Sequence, residues 1–217
     1  MRRRVKRTEP KRKRVRRSPD AARDHILQAA IVVLAKRGPA AAGLKHVARE
    51  AGVSHALVTH YFGTYDQLVD AAVFESMRAM RTALLQSLLT TENPTPEAIA
   101  KLYLDAGLDG HYGRLLGWAL FTEHERRDRI AEQLQPDMKL VALGTQKMLA
   151  RRTDPPMSRS DTEGMIVALW SMVLGYAAGS DFFWTAFGRK PGPRRDAVLR
   201  EIVGSLARAM FPEPPEA

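Results

Sequence analysis

Residues 50–68 read EAGVSHALVTHYFGTYDQL. Two short segments with helical apolar spacing meet there around Ala51-Gly52-Val53. A helix, a three-to-four-residue turn containing glycine and a second helix form the helix-turn-helix unit. Gly52 supplies the positive φ that such a turn asks for, and Ser54 can cap the second helix. Val47, Ala48, Val53, Val58 and Phe62 would then face a core, while His55, Ala56, Thr59 and His60 point outward. A helix presented in this way fits the major groove of DNA, with the first helix lying across it as a brace.

Helical periodicity continues in both directions, and strand signals are nearly absent. Ser18-Pro19-Asp20 is a helix start. Leu27, Ala30, Ile31 and Leu34 follow at i, i+3, i+4 and i+7, and Gly38-Pro39 stops that helix. A second helix is expected from Leu44 to Ala51, a third over 55–61, and a long fourth over 65–89 with Leu68, Ala72, Val73 and Met77 facing inward. TENPTP at 91–96 marks a loop. Further helices are expected over 95–109, 113–134, 136–152, 159–187 and 193–211, with Pro136 among the breakers. His46 is expected on the solvent side of the second helix. The fold class is all-α.

The 217 residues suffice for one large domain or two small ones, and 45% of them are hydrophobic. There is no cysteine, hence no disulfide framework and no thiolate site. The first 17 residues hold eleven Lys/Arg and one acid, while the other 200 balance at 23 of each, so the net charge of +10 is a tail. Such a tail cannot fold alone, and it is an electrostatic hook for phosphates. A merely solubilising tail is the alternative. The basic start leads into Ser18-Pro19-Asp20 and not into an apolar run, so a signal-peptide layout is not expected and the chain is placed in the cytoplasm. Gly164–Ser180, the longest uncharged stretch, has 17 residues and reads as a buried helix more readily than as a membrane span. No G-x-S-x-G, phosphate loop or H-E-x-x-H is present, so an enzyme is not expected. Glu123-His124-Glu125 with Asp128 reads as a solvated charged stretch, not a metal site, and no cofactor is expected.

The segments ILQAAIVVLAKRG (26–38) and VAREAGVSHALVTHYFGTYDQLVDAA (47–72) resemble the TetR family of bacterial transcriptional regulators. The points of resemblance are Val47-Ala48, Ala51-Gly52-Val53-Ser54, Tyr61-Phe62, Thr64-Tyr65-Asp66 and Leu68. There are departures. Ala42-Gly43 stands where the family often has a hydroxyl residue. Thr59 stands at a common tyrosine position, and Tyr65 at a common lysine position. Residues 18–70 carry five basic and five acidic side chains.

After the basic arm (1–17), the resemblance implies a helix-turn-helix DNA-binding domain (18–65) and a helical ligand-binding and dimerisation domain (66–217). His55, Ala56, Leu57, Thr59 and His60 would read bases. Lys45, Ser54, Tyr61 and Tyr65 would touch phosphates, with Arg12, Arg14, Arg16 and Arg17 of the arm. Each histidine alone reads equally as a solvated surface residue.

The apolar run MIVALWSMVLGYAAG (165–179) and the stripe Val198, Ile202, Leu206, Met210 support a homodimer joined through Trp170, Leu174, Ala178, Val198, Ile202 and Leu206. Completion of a monomer core is the alternative. A mostly apolar effector would be lined by Tyr103, His111, Trp118, Phe121, Met148, Met172 and Tyr176, although core packing explains any one of them. The expected function is a repressor released by this ligand from a palindromic operator in double-stranded DNA. A nucleoid-like protein driven by the arm is the rival reading. No membrane partner is expected.

Overall fold

Ser18 accepts a hydrogen bond from the Ala21 amide, and Pro19 fills the first turn of helix α1 (Pro19–Arg37). In the computed structural model, which describes residues 18–90, 95–108, 111–121, 124–150, 156–190 and 192–210, every regular element is helical. The arm, with Arg12, Arg14, Arg16 and Arg17, lies outside the described residues. After a short 3-10 turn at Pro39–Ala41 come α2 (Leu44–Ala51), α3 (His55–Phe62) and α4 (Tyr65–Thr90). The second half holds α5 (Pro96–Leu108), α6 (Tyr112–Leu120), α7 (His124–Leu149), α8 (Arg159–Ala186) and α9 (Pro193–Met210).

Two expectations are corrected here. The helix expected over 113–134 is two helices, α6 ending at Leu120 and α7 starting at His124. Pro136 does not break α7, which runs through it. Proline removes one backbone donor from the helix interior. Pro136 and Glu132 are both exposed, so water reaches the freed carbonyl of Glu132. Ile130 on one side and Val141, Ala142 and Leu149 on the other are buried and hold the helix across it.

The buried apolar residues form two clusters. One joins α1, α2 and α3 to α4, α6, α7 and α8 through residues such as Ile26, Phe62, Val73, Leu116 and Leu174. The other lies among α5, α7, α8 and α9 around Tyr103, Leu104, Val141, Leu149 and Val203. The head therefore shares its core with the start of the body. Helix α6 lies very close to α8: a Cβ on Gly117 would stand 2.6 Å from the Leu174 carbonyl oxygen. Two buried polar groups find partners: Ser76 donates to the Ala72 carbonyl at 2.7 Å, and the Tyr103 and Thr145 hydroxyls lie 2.9 Å apart.

Candidate nucleic-acid interface and ligand cavity

Gly52 adopts φ 64° and ψ 32°, and its N–H reaches the Ala48 and Arg49 carbonyls, closing α2. Two residues later Ser54 accepts from the Leu57 amide at 3.2 Å and opens α3. Val47, Ala48, Ala51, Val58 and Phe62 are buried against α1, and His25 Nε2 lies 2.9 Å from the Ala51 carbonyl. Arg23 lies over the Phe62 ring, 5.0 Å from its centre. Beyond Gly63, Thr64 and Gln67 bond reciprocally at 2.9 and 3.2 Å and start α4. This capping box was legible as T-x-x-Q but was not among the residues singled out. The result is a rigid seat for α3 whose outer face carries His55, Ala56, Thr59 and His60, all exposed.

Behind the head, Arg126 of α7 reaches two acids in the first turns of α4. It donates to Asp66 at 2.8 Å, and its Nε lies 3.1 Å from Asp70, placed for an ion pair though not aligned for a hydrogen bond. These two carboxylates belong to the head's charge balance. Their pairing leaves the head more positive towards an outside polyanion than its five-against-five count suggests, with the exposed Asp66 discounted for solvent screening.

Farther along α4 the helices part. A cavity of about 300 Å³ opens between α4, α6, α7 and α8, walled by Met77, Met80, Leu116, Ile130, Leu134 and Leu174. Arg81 of α4 and Asp137 of α7 form an ion pair at its edge. A second cavity of about 300 Å³ is polar, with Arg114, Tyr176, Ser180, Asp181 and Asp196 among its lining.

Residues 26–72 match the profile of the bacterial regulatory proteins of the tetR family. The match spans the helix-turn-helix unit. An HTH-type transcriptional repressor of Mycobacterium tuberculosis is 42% identical over 95 residues, which are 44% of this chain and 44% of that protein. The chain thus spans less than half the length of that relative. The HTH-type regulator BetI of Brucella anthropi is 24% identical over 167 residues, 73% of this chain and 83% of its own. Among solved structures, the fatty acid degradation regulator FadR of Bacillus halodurans superposes with a TM-score of 0.63 at 16% identity, over 92% of this chain and 100% of its own. That likeness carries the fold: a helix-turn-helix head followed by a larger helical body.

In this head the base-reading candidates share one face, with Leu57 half-buried behind them. The Thr59 hydroxyl donates back to the His55 carbonyl at 3.2 Å, leaving its methyl and lone pairs outward. Lys45 and Ser54 are exposed, and Tyr61 is half-buried with its ring 5.2 Å from that of His60. Tyr65 differs from expectation. Its hydroxyl donates to the Pro39 carbonyl at 2.7 Å, so its single donor braces the head instead of facing a phosphate. Burial, then the neighbouring Asp66, raise its pKa, with Arg126 opposing. His46 also differs: it is half-buried, and its Nδ1 has no hydrogen-bond partner among the described residues.

The seven expected ligand residues do not gather around one cavity, and none of them lines the apolar one. Tyr103 is buried in the second core cluster, and Met148 packs against that cluster. Trp118 packs on the first cluster, while Phe121 is 80% exposed at the end of α6. Met172 borders a cleft of about 80 Å³, Tyr176 donates to Asp196 beside the polar cavity, and His111 sits at the α6 N-terminus. Periodicity marks which positions are apolar, but not where helices diverge and leave space. Of the six expected interface residues, Trp170 and Leu174 turn inward and line the apolar cavity. Ala178, Val198, Ile202 and Leu206 are exposed, as are Phe182, Phe183 and Phe187 at the end of α8, while Val167 is exposed at the edge of the apolar cavity.

Proposed function

We propose that this chain is a TetR-family, cytoplasmic, sequence-specific DNA-binding transcriptional regulator that works as a homodimer. It acts as a repressor released from a palindromic operator when a small, mostly apolar ligand occupies the body. The observation that carries the reading is the α3 face. Four residues with groups suited to base edges and thymine methyls stand outward on a helix fixed by two caps and a glycine turn, and none of them serves the core. The name of the Mycobacterium tuberculosis relative supports repression.

The apolar surface of α8 and α9 supports a second copy as its cover, since a two-fold pair would set two α3 helices roughly 34–36 Å apart, one turn of DNA. Residues 18–65 then form the reading unit and 66–217 the sensing and pairing unit, with the basic residues 1–17 along the DNA backbone. Helix α4 is continuous from the head to the wall of the apolar cavity, so a ligand that separates α4 from α7 acts directly on the head. A coupling of about 1–3 kcal/mol is the usual size of such an effect.

The test is selection of bound genomic fragments at physiological salt, with the full chain, a deletion of residues 1–17, and His55→Ala/His60→Ala. A palindromic site retained by the deletion and lost by the double substitution is the expected result. The near-neutral head favours one rival, a nucleoid-like protein driven by the arm. Binding without any preferred site, abolished by the deletion, would establish that rival instead.

A further inference from the structure

The accessible wall of the apolar cavity is almost entirely hydrocarbon. The polar groups among its lining residues are not at a ligand's disposal. Arg81 and Asp137 pair with each other across α4 and α7. Arg127 pairs with Asp128 at 3.8 Å, and its side chain is 44% exposed, so water serves its charge. Ser171 is exposed as well. The Trp170 Nε1–H is buried out of reach of the cavity's space. A hydroxyl, carboxylate or ammonium carried into this space would shed its water and meet no partner. Water itself needs roughly two to four polar partners to occupy a cavity, and cavities without them stay dry and take up neutral apolar molecules.

We propose that this cavity takes a neutral hydrocarbon, a ligand with no charged or hydrogen-bonding group, seated among Met77, Met80, Leu116, Ile130 and Leu134. This rests on the reading of the cavity as the effector site and narrows the ligand from mostly apolar to wholly apolar. The volume of about 300 Å³, at roughly 30 Å³ per small group, suits a body on the order of ten carbon atoms. Met77, Met80 and Met138 supply unbranched, polarizable side chains that adapt to the outline of such a body. Affinity then comes from taking the ligand's own surface out of water, so an added polar atom weakens binding wherever on the ligand it stands. Ile130 and Leu134 follow Arg126 on the same α7, and Arg126 holds Asp66 and Asp70 at the root of α4. Filling the cavity would thus bear on the part of α7 that clasps the head.

The experiment is equilibrium dialysis of the full chain against naphthalene, 1-naphthol, 2-naphthol and 1-naphthoate, which share one ring skeleton. Each is measured on the unaltered protein, on Leu134→Gln and on Met138→Gln, with thermal melts confirming that the variants are folded. Both positions are half-buried in the cavity wall, and an amide there brings a hydrogen-bonding group to the ligand. Naphthalene is expected to bind at least tenfold more tightly than either naphthol, the scale of a buried hydroxyl without a partner, and naphthoate most weakly. In the glutamine variants naphthalene is expected to weaken and its lead over the naphthols to narrow. A naphthol or naphthoate that binds the unaltered protein as tightly as naphthalene overturns the hydrocarbon class and leaves the effector cavity standing. A lead that neither variant narrows puts the bound naphthalene outside this cavity and overturns the proposal. Failure of all four probes to bind overturns the effector-site reading and this proposal with it.

Discussion

Helices α3 and α8 both turn a face to solvent, and the two faces differ in kind. On α3 the outward residues are His55, Ala56, Thr59 and His60, while Val58 and Phe62 are buried within the chain. On α8 the outward residues include Val167, Phe182 and Phe183. This helix is long and apolar enough to cross a membrane, with a mean hydropathy of 1.4 over its most apolar 18-residue stretch, yet only 17% of that stretch is buried within the protomer. The expectation of a helix buried on several sides is thus met on one side by the chain itself. Large apolar side chains left exposed in such number mark a place of contact. The head completes its core internally and offers chemistry outward, whereas the body offers its apolar surface and so calls for a second one.

The strongest way to break this contrast is within the head. Phe62→Ala removes a ring that is 7% exposed at the junction of α1, α3 and α4. Truncations of this kind cost about 3–5 kcal/mol, and urea unfolding of the chain should show a loss of that size. A loss below about 1 kcal/mol would mean that the head is not organised around Phe62. In the body, Ile202→Glu changes a residue that is 52% exposed in the protomer. Sedimentation should show a dimer dissociation constant raised roughly 30-fold or more, the scale of an interface hot spot, with the protomer's helicity kept. An unchanged assembly state would place the dimer contact elsewhere, and pelleting of the unaltered protein with lipid vesicles would favour a membrane as the cover of α8.

A pair of glycines sharpens the comparison further. At Gly117 an added methyl would meet the Leu174 carbonyl at 2.6 Å and Ala178 Cβ at 2.7 Å, so Gly117→Ala should cost about 1–3 kcal/mol by overpacking. At Gly52 an added methyl meets nothing within 4 Å, and the penalty comes only from the left-handed backbone, about 1–2 kcal/mol. Removing the Ala178 methyl with Ala178→Gly should recover part of the Gly117→Ala loss, the Leu174 carbonyl staying in place, and none of the Gly52→Ala loss, as read by thermal melts of the single and double variants.

The smallest effect is expected at the contact between head and body. Burial, then Lys36 and Arg114, hold the His111 imidazole below its usual 6.5, with Glu50 opposing. The folded chain therefore takes up this proton at lower pH than the unfolded chain. The stability linked to His111 is complete above about pH 6.5 and falls as the pH drops below it, levelling once the folded form is protonated. Melts between pH 7.5 and 5 should show a shallower decline for His111→Gln. An identical decline would assign the pH dependence to other groups.

Much of the head was legible because its signals are local. Ser18-Pro19, Gly38, Gly52 and Ser54 act through their own backbone within one turn, and the structure places the caps where those residues stand. Tyr65 and His46 were misjudged because their surroundings come from elsewhere: the partner of Tyr65 is Pro39, 26 residues away. The body shows the same limit more widely. Its helices could be counted approximately, but Pro136 and the break after α6 depend on which side of α7 meets water and on how closely α6 lies on α8.

An all-helical chain, a helix-turn-helix with an identifiable outward face and a charge excess confined to the first 17 residues could all be read from the amino acids alone, because each follows from short-range geometry or simple counting. Where space remained and which apolar residues stayed exposed emerged from the packing of the helices. Trp170 and Leu174 line a cavity while Ile202 and Leu206 face outward, although all four occupy apolar positions on helices of similar pattern. Periodicity specifies a stripe on one helix, but a cavity or an uncovered surface is a property of how several stripes meet.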